Sequence, residues 1–258
     1  IAEWCGLAFY VLSCNPDCIK GPVQHDLVAA LVNMSKMNDA SRESRSDCVL
    51  ALWNLSMLPD CDSKGLIPSL VRILSRPNDD ARIRGDSAMA LYNLSMDEEN
   101  CVAMLKMGAL APLLQLCTEN DSVTESPLLE EAEAAAELEA SDIGPPPLIS
   151  KTDTEDDDGL RHQKQCAALM ARLSTHNFPA DQAETFVEAL IKLAKLECRE
   201  TQQRVVVSLY NLSCIELVKP FLMTDVVVVT LVRLSNRPDE SVRRGCAETL
   251  TNLAAVEG

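Results

Sequence analysis

Ala51-Leu52-Trp53-Asn54-Leu55-Ser56 returns along the chain as Ala90-Leu91-Tyr92-Asn93-Leu94-Ser95, Ser208-Leu209-Tyr210-Asn211-Leu212-Ser213 and Thr249-Leu250-Thr251-Asn252-Leu253-Ala254. With the asparagine as origin, the equivalent residues are Val11, Asn54, Asn93, Arg172, Asn211 and Asn252, at intervals of 43, 39, 79, 39 and 41. A fixed period of about forty residues marks a stack of similar units, each burying its apolar face against its neighbours. The interval of 79 is one unit plus an insertion.

Each unit reads as a short helix, a second helix and a longer third helix that ends in the phrase. Apolar residues in the third helix fall at helical spacing, as in Ile83, Ala90, Leu91 and Leu94, or Val242, Cys246, Leu250 and Leu253. The second helix is carried by 66–74, 110–116 and 229–234. Gly65 and Gly108 stand before it, where a glycine ends a first helix in the left-handed conformation, and Pro68 and Pro112 sit where an early-turn proline is tolerated. Between second and third helices, Arg76-Pro77-Asn78-Asp79 and Arg237-Pro238-Asp239-Glu240 supply a stop, a cap and first-turn acids.

Composition agrees with packed helices. The 258 residues are 47% hydrophobic, yet only nine are aromatic and nine are glycine, which disfavours sandwiches and nucleotide-binding α/β folds. No apolar run has membrane-spanning length, and the apolar opening carries Glu3 without a basic lead, so neither membrane insertion nor a signal peptide is expected.

The eleven cysteines contain no Cys-x-x-Cys pair. Six residues before the asparagine slot lie Cys5, Cys48, Ser87, Cys166, Val205 and Cys246, so four cysteines fill one position that wants a small apolar group. Buried thiols imply a reducing cytoplasmic or nuclear compartment. Asn-x-Ser at Asn33, Asn54, Asn93, Asn120 and Asn211 then reflects the repeated phrase rather than glycosylation.

Gly-x-Ile-Pro-x-Leu-Val-x-x-Leu followed by Ala-Leu-x-Asn-Leu-Ser resembles the armadillo repeat. The resemblance covers all but the insertion and implies an all-α right-handed solenoid. The division it implies is a partial repeat at 1–13, then repeats at 14–56, 57–95, 96–174 (interrupted at 119–159), 175–213 and 214–258, a segment of a longer array. It further implies that the third helices line a concave groove with Asn54, Asn93, Asn211 and Asn252 facing it. A carboxamide offers donors and an acceptor together and can pair with the N–H and C=O of an extended peptide. The alternative is that the asparagines bridge neighbouring repeats.

Val11 cannot make such a pairing, and Arg172 puts a cation in the slot after the insertion. Importin-alpha-type proteins place Trp four residues before the asparagine. Here Leu50, Met89, Val207 and Glu248 stand there, which disfavours an import adaptor. Trp53 and Tyr92 beside the asparagine are expected to pack.

The insertion 119–159 holds fourteen acids and one base, a net of −13 out of the chain's −16, so the remaining 217 residues carry only −3. Such a segment is expected to be disordered. It could also fold back on the groove, received by Arg82, Arg84, Arg199, Arg204, Arg243 and Arg244.

His25, His162 and His176 show no metal or nucleophile spacing, and there is no phosphate-binding glycine loop. With a pI near 4.6, the chain lacks a nucleic-acid footprint. No catalysis, cofactor or metal is expected. The reading is a protein-binding scaffold taking an extended or helical partner segment, with Asn54, Asn93, Asn211, Asn252, Arg172 and Arg204 lining the groove. Alternatives are the substrate-binding region of a U-box-type ubiquitin ligase, or a structural element of a cytoskeletal or ciliary assembly.

Overall fold

The computed structural model describes residues 2–15, 19, 22–37, 40–58, 61–118, 158–175 and 178–255. Of the insertion 119–159 expected to be disordered, 119–157 lie outside the described residues, and 158–159 instead open a helix. All regular elements among the described residues are helical. They are α1 (Ala2–Ser13), α2 (Pro22–Ser35), α3 (Arg42–Ser56), α4 (Ser63–Leu74), α5 (Ala81–Leu94), α6 (Glu98–Lys106) and α7 (Leu110–Thr118). After the insertion come α8 (Asp158–Leu173), α9 (Ala183–Leu193), α10 (Arg199–Ser213), α11 (Lys219–Leu222), α12 (Asp225–Ser235) and α13 (Glu240–Ala254).

The long helices form one row, in which α1, α3, α5, α8, α10 and α13 each pack on the next. On the other side α2 packs on α4, α7 on α9, and α9 on α12. The apolar stripes meet between the two layers, where Leu31, Leu52, Leu70, Leu91, Leu113, Leu190, Leu209 and Leu231 are all fully buried in one continuous core. The position six residues before the asparagine slot lies in that core at Cys48, Ser87, Cys166, Val205 and Cys246, and is half-buried at Cys5. Burial pushes the Cys48 thiol up to about 12 and the Cys246 thiol up to about 11. At neutral pH both stay protonated, as a small packing residue requires and a nucleophile does not.

Helix ends follow the turn chemistry with two corrections. Gly108 does end α6 in the left-handed region, at φ 72°, with its N–H on Leu105 O (3.0 Å) and that of Ala109 on Met104 O (3.1 Å), so that α7 leaves α6 at 82°. Gly65 does not act in this way. Asp62 caps a helix that already starts at Ser63 and accepts from the Gly65 N–H at 3.3 Å, so the chain runs straight into α4 and needs no left-handed stop. Pro68 therefore sits at the sixth position of α4, where the carbonyl of Lys64 has no N–H to receive. The cap of α5 is Asp80, one residue beyond the quoted turn, and Asp239 caps α13 as read.

No single described helix is long and apolar enough to cross a membrane; only α6 and α7 taken together reach that length, and they meet at an 82° bend. On α12, Val226, Val229 and Val232 are exposed at successive turns of one face.

Candidate functional site: the row of long helices

The repeated asparagines form a ladder between neighbouring long helices. Asn54 Nδ2 donates to Ser13 Oγ at 2.9 Å, and Asn93 to Ser56, Asn211 to Ser174 and Asn252 to Ser213, each at 3.0 Å. Each serine hydroxyl in turn donates to the carbonyl three residues before it, Tyr10, Trp53, Ala171 and Tyr210, at 2.6–2.8 Å. The serines are buried and already donate within their own helix, so each rung fills the acceptor side of the hydroxyl and ties it to the next helix. Asn54 is buried, while Asn93, Asn211 and Asn252 are half-buried.

Bridging and binding are compatible in this geometry. A carboxamide has two N–H donors and one carbonyl acceptor; the rung uses one N–H, and at Asn54 and Asn252 the nitrogen also donates to Cys14 Sγ (3.6 Å) and Cys214 Sγ (3.5 Å). The serine fixes the amide's orientation, and among the described residues no hydrogen bond uses the Oδ1 of Asn93, Asn211 or Asn252.

The ladder has one gap. Ser95 donates to Tyr92 O at 2.6 Å, but the next slot is Arg172, whose Nη2 lies 2.9 Å from Met96 Sδ. Among the described residues no side chain of α8 donates to Ser95. Loss of a rung in Asn93→Ala is expected to lower unfolding free energy by about 1 kcal/mol. Arg172→Asn should supply the missing rung and raise stability; denaturant titration of both variants checks the pair.

At the opposite, N-terminal ends of these helices, arginines reach the next helix's cap. Arg42 pairs with Asp80, and Arg199 Nε lies 2.5 Å from Asp239 Oδ2. Asp239 also accepts from Ser241 Oγ (2.5 Å), the Val242 N–H (3.0 Å) and Gln203 Nε2 (3.0 Å). These donors, Ser241 first, hold its carboxyl well below the usual carboxylate range against the opposing effect of burial. A depressed carboxyl stabilises the fold above its unfolded value of about 3.9 and loses that contribution as pH falls. Asp239→Asn should therefore be less stable than the parent at pH 7. Melting curves should converge below about pH 4; a constant gap down to pH 2 would contradict the assignment.

Between α5, α8 and α10 the row holds a cavity of about 310 Å³ lined by Met89, Tyr92, Arg161, Lys164, Gln165, Ala168, Glu200 and Arg204. Arg204, expected in the groove, is there. Trp53 is buried as expected, and Tyr92, half-buried, packs against the core as expected and also lines the cavity. Arg161 and Lys164 were not anticipated. They lie three and six residues after the acidic tract 153–158, whose charge dominates any sequence-level reading of the region. Of the other arginines proposed to receive an acidic segment, Arg84 is buried, and Arg243 and Arg244 are exposed on α13.

The α5–α8 junction is built differently from the others. Gly85 has no side chain, and His162, itself buried, occupies the space a Cβ would need. The Gln165 amide, oriented so that its nitrogen donates to Gly85 O at 3.1 Å, accepts from Arg161 Nε at 3.2 Å. The Arg161 guanidinium lies over the Trp53 ring of α3, 5.5 Å from its centroid.

Among the described residues no group of three or more His, Cys, Asp or Glu could hold a metal ion. His25 stands 3.9 Å from Asp62, and no nucleophile joins it in the hydrogen bonds described.

No protein-family model matches the sequence, and no curated protein matches it. Solved structures do. An engineered protein solved by the Northeast Structural Genomics Consortium superposes with a TM-score of 0.65 at 19% identity, over 98% of this chain and 90% of that one. A computationally designed armadillo repeat protein for modular peptide recognition gives 0.64 at 17% identity, over 96% and 91%. The chain has an armadillo-like repeat fold. A designed armadillo repeat protein in complex with the peptide (KR)4 gives 0.62 at 16% identity, covering 95% of this chain and 90% of its own.

Proposed function

We propose that this armadillo-like solenoid is a non-catalytic scaffold that holds an extended or helical segment of a partner protein along α5, α8, α10 and α13. It is divided into repeats as the register of the phrase suggests. The observation that carries the reading is the ladder: asparagine amides fixed by buried serines, with three of them half-buried and an acceptor oxygen left over on each. A strand rising roughly 3.3 Å per residue, across helices packed roughly 8–10 Å apart, would meet one amide about every third residue. The designed neighbour that holds (KR)4 supports the fold's capacity for peptides.

A selection of random dodecapeptides against the folded chain tests this. Bound peptides should protect α5, α8 and α10 from amide exchange, and Asn211→Ala should weaken them while the chain stays folded. Binders that protect only the valine face of α12 would overturn the reading.

The acidic insertion 119–159 is read as an intramolecular competitor for the same row, supported by its net charge of −13. Its deletion should raise partner affinity and flatten the salt dependence; an unchanged affinity at every salt concentration contradicts that. A reducing compartment, cytoplasm or nucleus, suits free thiols at Cys5, Cys48, Cys166 and Cys246.

A further inference from the structure

The cavity between α5, α8 and α10 has a charge that the rest of the chain lacks. Three cations, Arg161, Lys164 and Arg204, and one acid, Glu200, line it, for a net of +2 in a protein of −16. Among the described residues none of the three cations is in an ion pair. Glu200 lies one helical turn before Arg204 on α10, yet no contact within ion-pair distance joins them. Arg161 is held in place by the Trp53 ring and the Gln165 amide, neither of which neutralises it. The neutral part of the lining is Tyr92, Met89 and Ala168, which gives an apolar wall beside the cations.

We propose that this cavity is the subsite that fixes the partner's charge: it takes a Glu or Asp side chain of an acidic peptide segment. This rests on the reading of the row as a peptide groove and adds what that groove selects. A carboxylate entering between Arg161, Lys164 and Arg204 receives charge-assisted hydrogen bonds, with the planar Arg161 fork already oriented. Its aliphatic stem lies on Tyr92 and Met89. Asn93 follows Tyr92 of the lining on α5, and Asn211 lies two helical turns beyond Arg204 on α10, so a main chain held at the asparagines passes the cavity toward the C-terminal ends of these helices. The missing rung at Arg172 falls on the same helix as Arg161 and Lys164. At this junction the row therefore offers side-chain charge in place of a main-chain amide.

The peptide charge expected here is opposite to that of (KR)4, which a designed protein of similar fold holds. Here a basic peptide would meet Arg161, Lys164 and Arg204 at the centre of the row. A carboxylate instead relieves the mutual repulsion of the three cations, an effect that salt weakens over roughly a Debye length.

The experiment uses the full chain and three fluorescein-labelled peptides, (Glu-Ala)6, (Gln-Ala)6 and (Lys-Ala)6, followed by anisotropy and amide exchange. (Glu-Ala)6 should bind roughly tenfold or more tighter than (Gln-Ala)6 at low salt, and the difference should shrink as salt is raised. Lys164→Gln/Arg204→Gln, which leaves the Arg161–Trp53 contact in place, should abolish most of the preference. Arg243→Gln/Arg244→Gln, which removes the same charge from exposed positions on α13, should retain it. Equal loss in the two double variants, or (Lys-Ala)6 binding as tightly as (Glu-Ala)6, overturns the proposal. Equal protection of α5, α8 and α10 by all three peptides overturns the charge preference and leaves the groove reading standing. Protection of those helices by none of them overturns both.

Discussion

Gly85→Ala is expected to destabilise the chain by about 3 kcal/mol or more, toward the upper end of what overpacking does. A Cβ built at Gly85 would stand 1.9 Å from His162 Cδ2, 2.4 Å from Nε2 and 2.5 Å from Cγ. All three atoms belong to one ring, and His162 is only 2% exposed, so the ring has no solvent to swing into. Relief requires α8 to move away from α5. That movement disturbs the Gln165–Gly85 bond and withdraws Arg161 from Trp53, and this junction has no asparagine rung to resist it. Contrast Gly245, whose Cβ would approach only Val206 Cγ1 closely, a methyl group that a change of rotamer can move. Gly245→Ala should be the milder change, and Gly85→Ala/His162→Ala should recover part of the loss. Denaturant unfolding of the three variants checks the order. If Gly85→Ala is as stable as the parent, α8 does not sit on α5 as described.

Arg45→Leu is expected to cost about 3 kcal/mol, the scale on which a buried carboxylate suffers when its partner is removed. Arg45 Nε lies 2.8 Å from Asp79 Oδ1, and the Asp79 side chain is only 5% exposed. Asp79 sits in the turn between α4 and α5, so the pair ties that turn to α3. Arg45 also donates to Ala40 O, and Arg76, 3.9 Å from Asp79, donates to Ser35 O at 2.7 Å. The cluster thus joins the end of α2, the start of α3 and the turn before α5. With Arg45 gone, Arg76 alone would face the carboxylate, at a distance too long for a hydrogen bond. Replacing both groups, Arg45→Leu/Asp79→Leu, removes the stranded charge and should be less damaging than Arg45→Leu alone. A double variant less stable than the single would show that the ion pair is not what the turn depends on.

The recurring phrase made the solenoid and its register legible, because apolar spacing at 3.6 residues and a constant interval are properties of the chain itself. It also located the small buried position of Cys48, Cys166 and Cys246, and the left-handed stop at Gly108. Bridging was considered for the asparagines, yet their partner was not named, although its signal is in the same phrase. Serine follows the slot by two residues in Val11-Leu12-Ser13 and Arg172-Leu173-Ser174, where the asparagine itself is absent. A serine that persists without its asparagine is serving the next helix, and the ladder shows it doing so.

Other features depend on contacts between units and leave no local trace. Gly85 and His162 are 77 positions apart, and only packing reveals that one makes room for the other. Gly65 looked equivalent to Gly108 until the cap at Asp62 showed that α4 starts earlier. Tyr92 packs against the core as its place beside the asparagine suggests, and the α5–α8 junction also leaves it along the cavity. Arg161 and Lys164 were hidden by the acids that precede them.

The central claim is that the half-buried asparagines present an ordered edge to a bound peptide. Side-chain amide NMR of the nitrogen-15-labelled chain, titrated with (Glu-Ala)6, tests it most directly. The Asn93 and Asn211 amide signals should shift with the same affinity as the anisotropy change, while that of buried Asn54 should stay in place. Binding that leaves Asn93 and Asn211 unmoved would contradict the account, since the ladder would then only hold the repeats together.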